Sequence, residues 1–136
     1  MPIQRLSTPD AIAKVAAEPD LVHIDVRSVQ EFEAGHAPNA YNIPLMHAGP
    51  GGFVPNPMFA AEVETHFGKD TPILVSCKAG GRSARAAALL EQLGYTRLLD
   101  QIGGWSGGNG DGGWVAGGGP AATSALPGRD HASLKR

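Results

Sequence analysis

Along the chain, apolar residues gather into short unbroken runs instead of alternating with polar ones. Leu21-Val22-His23-Ile24-Asp25-Val26, Pro72-Ile73-Leu74-Val75-Ser76 and the shorter Thr96-Arg97-Leu98-Leu99 are the three clearest. Such runs predict strands covered on both faces, as in a parallel sheet. Residues 3–6 and 40–43 are weaker strand candidates. Helical signals with caps lie between them. Ser7-Thr8-Pro9-Asp10 opens a helix to about Ala17, with a hydroxyl cap and proline in the first turn. Ser28-Val29-Gln30-Glu31 has the form of a capping box, starting a short helix that ends near Gly35. Asn56-Pro57 opens a third, to about Phe67, stopped by Gly68. The fourth, over residues 83–93, is rich in Ala and Leu and stops at Gly94. Strands alternating with helices point to an α/β domain with a mainly parallel sheet.

After Leu99 the pattern is lost. Residues 103–119 are dominated by glycine, with Trp105 and Trp114 as the large apolar side chains. A stretch of this kind loses so much backbone entropy on ordering that only strong docking would fix it. From Ala121 on the chain is polar and unpatterned. The expected division is therefore one domain over residues 1–106 and a glycine-rich flexible tail over 107–136. No internal repeat is present.

Composition narrows the function classes. A chain of 136 residues, 42% hydrophobic and 18% charged, holds one core. A net charge of -2 lacks the basic stripe that nucleic acid requires. The apolar runs are too short to span a bilayer, and Met1-Pro-Ile-Gln-Arg-Leu-Ser lacks the apolar core of a secretory signal. The expectation is a cytoplasmic monomer with neither nucleic-acid nor membrane partner. The single cysteine excludes an internal disulfide and a CxxC redox pair, and it argues against a thiolate metal cluster. His23, His47, His66 and His131 show no metal-ligand spacing, so neither metal nor cofactor is expected.

The chemically informative stretch is Val75-Ser76-Cys77-Lys78-Ala79-Gly80-Gly81-Arg82-Ser83-Ala84-Arg85. A buried strand ends at Ser76, a tight loop follows, and a helix starts near Ser83. In open α/β sheets ligands bind beyond the carboxyl ends of strands, where Cys77 falls. The helix start offers unpaired N–H groups to an anion, and Gly80 and Gly81 let those groups converge. Arg82, with Lys78, adds positive charge, so a thiolate is favoured and Cys77 is the candidate nucleophile. A lone cysteine beside a core strand is more often a small buried hydrophobe. Strand end, loop glycines, basic residues and helix start together outweigh that reading.

The loop from Cys77 to Arg82, followed by Ser83, resembles the six-residue active-site loop of the rhodanese family of sulfurtransferases. Ile24-Asp25-Val26-Arg27 with Glu31-Phe32, Gly35-His36-Ala37-Pro38-Asn39-Ala40 running into Asn42-Ile43-Pro44, Leu93-Gly94-Tyr95 and Gly103-Gly104-Trp105 are also similar to family landmarks, in the same order. The resemblance spans about residues 3 to 106. It implies a central, mostly parallel five-stranded sheet flanked by helices. It also implies a two-step transfer, in which the Cys77 thiolate takes the outer sulfur of a donor such as thiosulfate and passes it to cyanide or a thiol. Lys78, Ala79, Gly80, Gly81, Arg82 and Ser83 would form the substrate cradle. Lys78 and Arg82 would grip the dianionic donor, or Arg82 would brace the loop against a carboxylate. Three positions depart from the pattern. Ala37 replaces a larger aliphatic residue, Asn39 stands where glycine is common, and Gly107-Gly108 breaks the place of the closing helix.

Asp25 and Arg27 end the first long strand, on the edge that carries Cys77, and are candidate supports of the loop. For Arg27, a local ion pair with Glu31 or Glu33 is the favoured reading. His36 and Trp105 are expected to be structural, and Arg85 a solvated helix residue. A cysteine phosphatase also cradles a thiolate at a helix start, but its pattern has five residues between cysteine and arginine. Here there are four, which suits one sulfur atom better than a tetrahedral phosphate. A carrier that hands its persulfide to one protein relay partner is the other alternative.

Overall fold

The computed structural model describes residues 3–135. Five strands form one sheet: β1 (Gln4–Leu6), β2 (Val22–Asp25), β3 (Tyr41–Asn42), β6 (Ile73–Ser76) and β7 (Leu98–Gln101). They lie in the order β1-β7-β6-β2-β3, and every pairing is parallel. Helices α1 (Thr8–Ala17), α2 (Val29–Ala34), α3 (Phe59–His66) and α4 (Gly81–Gln92) connect them. The central strand β6 is buried along its whole length. Ile73 and Val75 pack into one core cluster with Ala86, Ala87 and Leu90 of α4, while Leu74 packs into a second with Leu6, Phe32 and Leu99. Two covered faces explain why these runs do not alternate.

Local chemistry sets the helix starts. Ser7 accepts the Asp10 N–H, and Ser28 and Glu31 complete the reciprocal capping box. α4 begins two residues before the expected Ser83. Gly80 turns the chain into the helix with φ +97, a left-handed conformation suited to glycine.

Two segments were not foreseen. Residues 46–55 form an antiparallel hairpin, β4 (Met46–Gly49) and β5 (Gly52–Pro55), outside the main sheet. The segment expected to be a flexible tail instead docks along the domain. The Asp111 carboxylate accepts the Thr8 N–H at 2.7 Å and its hydroxyl at 2.6 Å. Trp114 is 2% exposed and joins the cluster of Leu6, Phe32 and Leu74. His36 and Ala122 exchange both backbone hydrogen bonds, at 2.9 and 2.8 Å. A last helical turn, α5 (His131–Leu134), sets Leu134 into the other cluster and His131 Nε2 3.0 Å from Glu62. Burial of Trp114 and Leu134 supplies the docking that the glycines alone lack. Among the described residues Asn109 is the only non-glycine with positive φ, so Asn39, where glycine is common, does not adopt a left-handed conformation.

If the tail is part of the core, Trp114→Ala should cost about 3–5 kcal/mol, as for other buried large aromatics. Denaturant unfolding measures it, and a loss under about 1 kcal/mol would mean that the docked segment contributes little.

Candidate active site

β2 and β6 run in register, Asp25 beside Ser76, and the Val26 N–H donates to Ser76 O at 2.9 Å. Their carboxyl ends therefore finish level, and residues 25–27 stand next to the loop that starts at Cys77. The Cys77 side chain points into that loop and the residue is 2% exposed. The Gly80 N–H donates to its sulfur at 3.1 Å, and Ser83 Oγ lies 3.5 Å away while donating to Gly80 O at 3.2 Å. The sulfur thus sits against the first turn of α4, where an N–H group stabilises negative charge.

The loop is held from behind by the glycine-rich segment. Trp105 N–H donates to Cys77 O at 2.8 Å and Ser106 N–H to Lys78 O at 3.0 Å. A side chain on Gly104 would collide with the Lys78 carbonyl. This glycine, read from the sequence only as part of a flexible region or a landmark, is what lets two backbones meet.

Arg82 reaches sideways. Its guanidinium makes a two-pronged pair with Glu31 of α2, at 2.7 and 2.9 Å, and the Phe53 ring of β5 lies 4.6 Å from its centre. Of the two roles left open, this geometry is that of a brace. Lys78 is exposed and makes no ion pair among the described residues. Arg85 is exposed, as expected of a solvated helix residue.

The expected Arg27 pairing is corrected. Its partner is Asp25, through contacts of 2.7–3.1 Å, with a further hydrogen bond to Gly35 O at 2.6 Å. Glu31 is already committed to Arg82 and to the Ser28 cap. The Asp25–Arg27 pair is buried, and Trp105 covers the guanidinium at 4.9 Å. Beside Cys77 these residues line a small cavity of about 10 Å³, with Ala37, His23, Gln101 and Trp114 among its walls. That is room for about one water-sized particle. Ala37, the departure from a larger aliphatic residue, is one of its walls.

His23, Gln101 and Glu31 were not read from the sequence as site residues. His23 Nε2 is 2.8 Å from Ser76 Oγ, and burial lowers its pKa to about 4, so it is neutral near pH 7. Gln101 donates to Thr8 Oγ1 and Gly104 O, both at 2.9 Å, which fixes the glycine turn. In the sequence His23 is a polar residue within an apolar run, Gln101 follows the last such run, and Glu31 reads as a helix cap. His36 is structural, stacked on Phe32 at 3.7 Å with Nδ1 2.7 Å from Phe32 O. Among the described residues no cluster of three His, Cys, Asp or Glu could hold a metal, and no helix is long and apolar enough to cross a membrane.

Two titrations follow from this arrangement. Burial works against the Glu31 charge, but Arg82 and Ser28 outweigh it and hold the carboxyl at about 2. A depressed carboxyl stabilises the fold above its ordinary value of 4.5 and loses that contribution as pH falls towards 2. His23 also has a lowered pKa, so the unfolded chain takes up its proton first and stability declines between pH 6.5 and 4. Unfolding measured against pH should show both windows. Glu31→Gln should flatten the lower one and leave the upper; an unchanged lower window would contradict the Arg82–Glu31 pair.

The family model of the rhodanese-like domain matches residues 8–111. "Thiosulfate sulfurtransferase 16, chloroplastic" of Arabidopsis thaliana is 43% identical over 84 residues, 62% of this chain and 70% of that protein. "Senescence-associated protein DIN1" of Raphanus sativus is 37% identical over 99 residues, 73% of this chain and 54% of that one. The solution structure of the rhodanese-like domain of the Anabaena Alr3790 protein superposes with a TM-score of 0.71 at 20% identity. It covers 93% of this chain and 81% of that one, and at such identity it speaks to the fold alone. The parallel five-stranded sheet, the cysteine loop at its edge and the profile match agree: the chain belongs to the rhodanese-like domain family.

Proposed function

We propose that this chain is a sulfurtransferase that carries sulfane sulfur as a persulfide on Cys77. Thiosulfate is the favoured donor, and cyanide or a thiol the acceptor. The observation that carries this reading is the Cys77 sulfur facing the Gly80 N–H within a six-residue loop at the start of α4. In the first step the thiolate attacks the outer sulfur of thiosulfate, the donor S–S bond breaks, and sulfite leaves with the electron pair. In the second an acceptor nucleophile attacks the outer sulfur of the persulfide, and Cys77 departs as a thiolate. No cofactor is needed, because the electrons balance within the exchange. The loop stabilises the terminal persulfide charge as an oxyanion hole does its oxygen.

The basic residues divide the work. Arg82, committed to Glu31, keeps the loop in shape. Lys78, exposed beside the cysteine, draws the dianionic donor. Asp25 and Arg27 support the neighbouring strand end and the Trp105 wall. The sulfurtransferase name of the Arabidopsis relative supports this reading, and so does a loop one residue shorter than the phosphatase pattern.

Steady-state kinetics with thiosulfate and cyanide test the proposal. The expected pattern is ping-pong, with Cys77→Ser inactive. Lys78→Ala should raise KM for thiosulfate roughly two- to fivefold at unchanged kcat, the worth of one exposed charge contact. Arg82→Ala, by loosening the loop, should lower kcat as well. A lysine variant with unaltered KM would remove its role in drawing the donor.

A further inference from the structure

The β4–β5 hairpin has no role in the reaction above, yet it stands at the mouth of the site. Phe53 lies over Arg82, the last residue of the loop. Phe53, Val54 and the nearby Met58 are 49, 51 and 55% exposed. They make up three of the five large hydrophobic side chains exposed among the described residues. Between Glu33 and Glu62 the chain contains no Asp, Glu, Lys or Arg. Proteins usually guard a free strand edge with charge; β5 carries none, and Pro55 alone blunts its end.

Among the described residues β5 pairs only with β4. The two-residue turn Pro50-Gly51 makes Gly49–Gly52 the hydrogen-bonded closing pair, so the next pair, Ala48–Phe53, turns its N–H and C=O groups outward. Phe53 therefore offers a free backbone donor and acceptor next to an exposed apolar strip. The loop and the start of α4 add exposed Lys78 and Arg85, and the hairpin itself has no carboxylate. Cys77 is recessed at 2% exposure, so a partner must bring its own sulfur on a narrow, extended segment.

We propose that the free edge of β5 docks an extended, acidic and apolar, cysteine-bearing segment of a protein sulfur acceptor. The segment adds as a strand beside Phe53, rests its apolar side chains on Val54 and Met58, and turns its acidic ones toward Lys78 and Arg85. Its cysteine thiolate attacks the outer sulfur of the Cys77 persulfide. The S–S bond breaks, Cys77 leaves as a thiolate, and the partner holds the persulfide, with no other oxidant or reductant required. This rests on the sulfur-transfer reading and names its acceptor. A second copy of the chain is a poorer occupant of the edge, because edge-to-edge pairing would draw two basic loops toward one seam.

The test uses the full chain loaded with sulfur and two synthetic single-cysteine decapeptides of alternating residues, one of Val and Glu, the other of Val and Lys. Sulfur transfer to each is followed by mass, and thiosulfate:cyanide turnover is measured in parallel. Transfer to the acidic peptide should be about tenfold faster than to the basic one. Val54→Glu should abolish that preference while cyanide turnover stays within about twofold. Equal rates for the two peptides, or a preference that survives Val54→Glu, would overturn the docking edge while leaving sulfur transfer standing. Loss of the preference together with a dimer that Val54→Glu dissociates would assign the edge to self-pairing and also overturn it. Wild type that neither loads sulfur nor turns over cyanide would remove the sulfur reading itself, and the docking edge with it.

Discussion

The backbone of residues 104–108 runs against the Cys77 loop so closely that no side chain fits between them at Gly104 or Gly108. Two hydrogen bonds close that contact, from the Trp105 and Ser106 amides to the Cys77 and Lys78 carbonyls. They commit those two carbonyls to the glycine-rich segment, while the Gly80 N–H donates to the sulfur. An anion cradle of a few residues is not rigid by itself, because each residue fixed costs about 1–2 kcal/mol of backbone entropy. The cost is offset elsewhere. Gln101 fixes the glycine turn, Asp111 ties the segment to Thr8, and Trp114 buries its indole in the second core cluster. The glycine-rich region is therefore the support of the site, and its composition is the means of close approach.

Charge at the site is largely neutralised in pairs. Asp25 and Arg27 form a buried pair behind the cysteine, and Glu31 and Arg82 a half-buried pair beside it. Such pairs fix geometry, since breaking one would leave an uncompensated buried charge. Among the described residues Lys78 and Arg85 make no ion pair, and both are exposed. The proposed division of labour between Lys78 and Arg82 rests on Arg82 alone having a carboxylate in reach.

The five strands of the main sheet and four of the helices were legible because their signals are local: β6 reads as an unbroken apolar run, and α2 as a capping box. The cysteine loop was legible for the same reason, with cysteine, glycines and arginine within six consecutive residues. Partners across the fold were not. Glu31 looked like a cap and a neighbour of Arg27, and it is both a cap and the brace of Arg82, 51 residues away. The hairpin was missed because Gly, Pro and Asn interrupt residues 46–57 and leave no alternation to read. The glycine content of the tail reports only the entropy lost on ordering it. Whether that loss is recovered depended on where Trp114 and Leu134 land, which only the assembled sheet decides.

The intact mass of the protein before and after incubation with thiosulfate, beside Cys77→Ser, tests the central claim most directly. The account requires a gain of one sulfur atom in the wild type alone, removed again by cyanide or a thiol. No gain with thiosulfate or with persulfide donors, or the same gain in the serine variant, would contradict it.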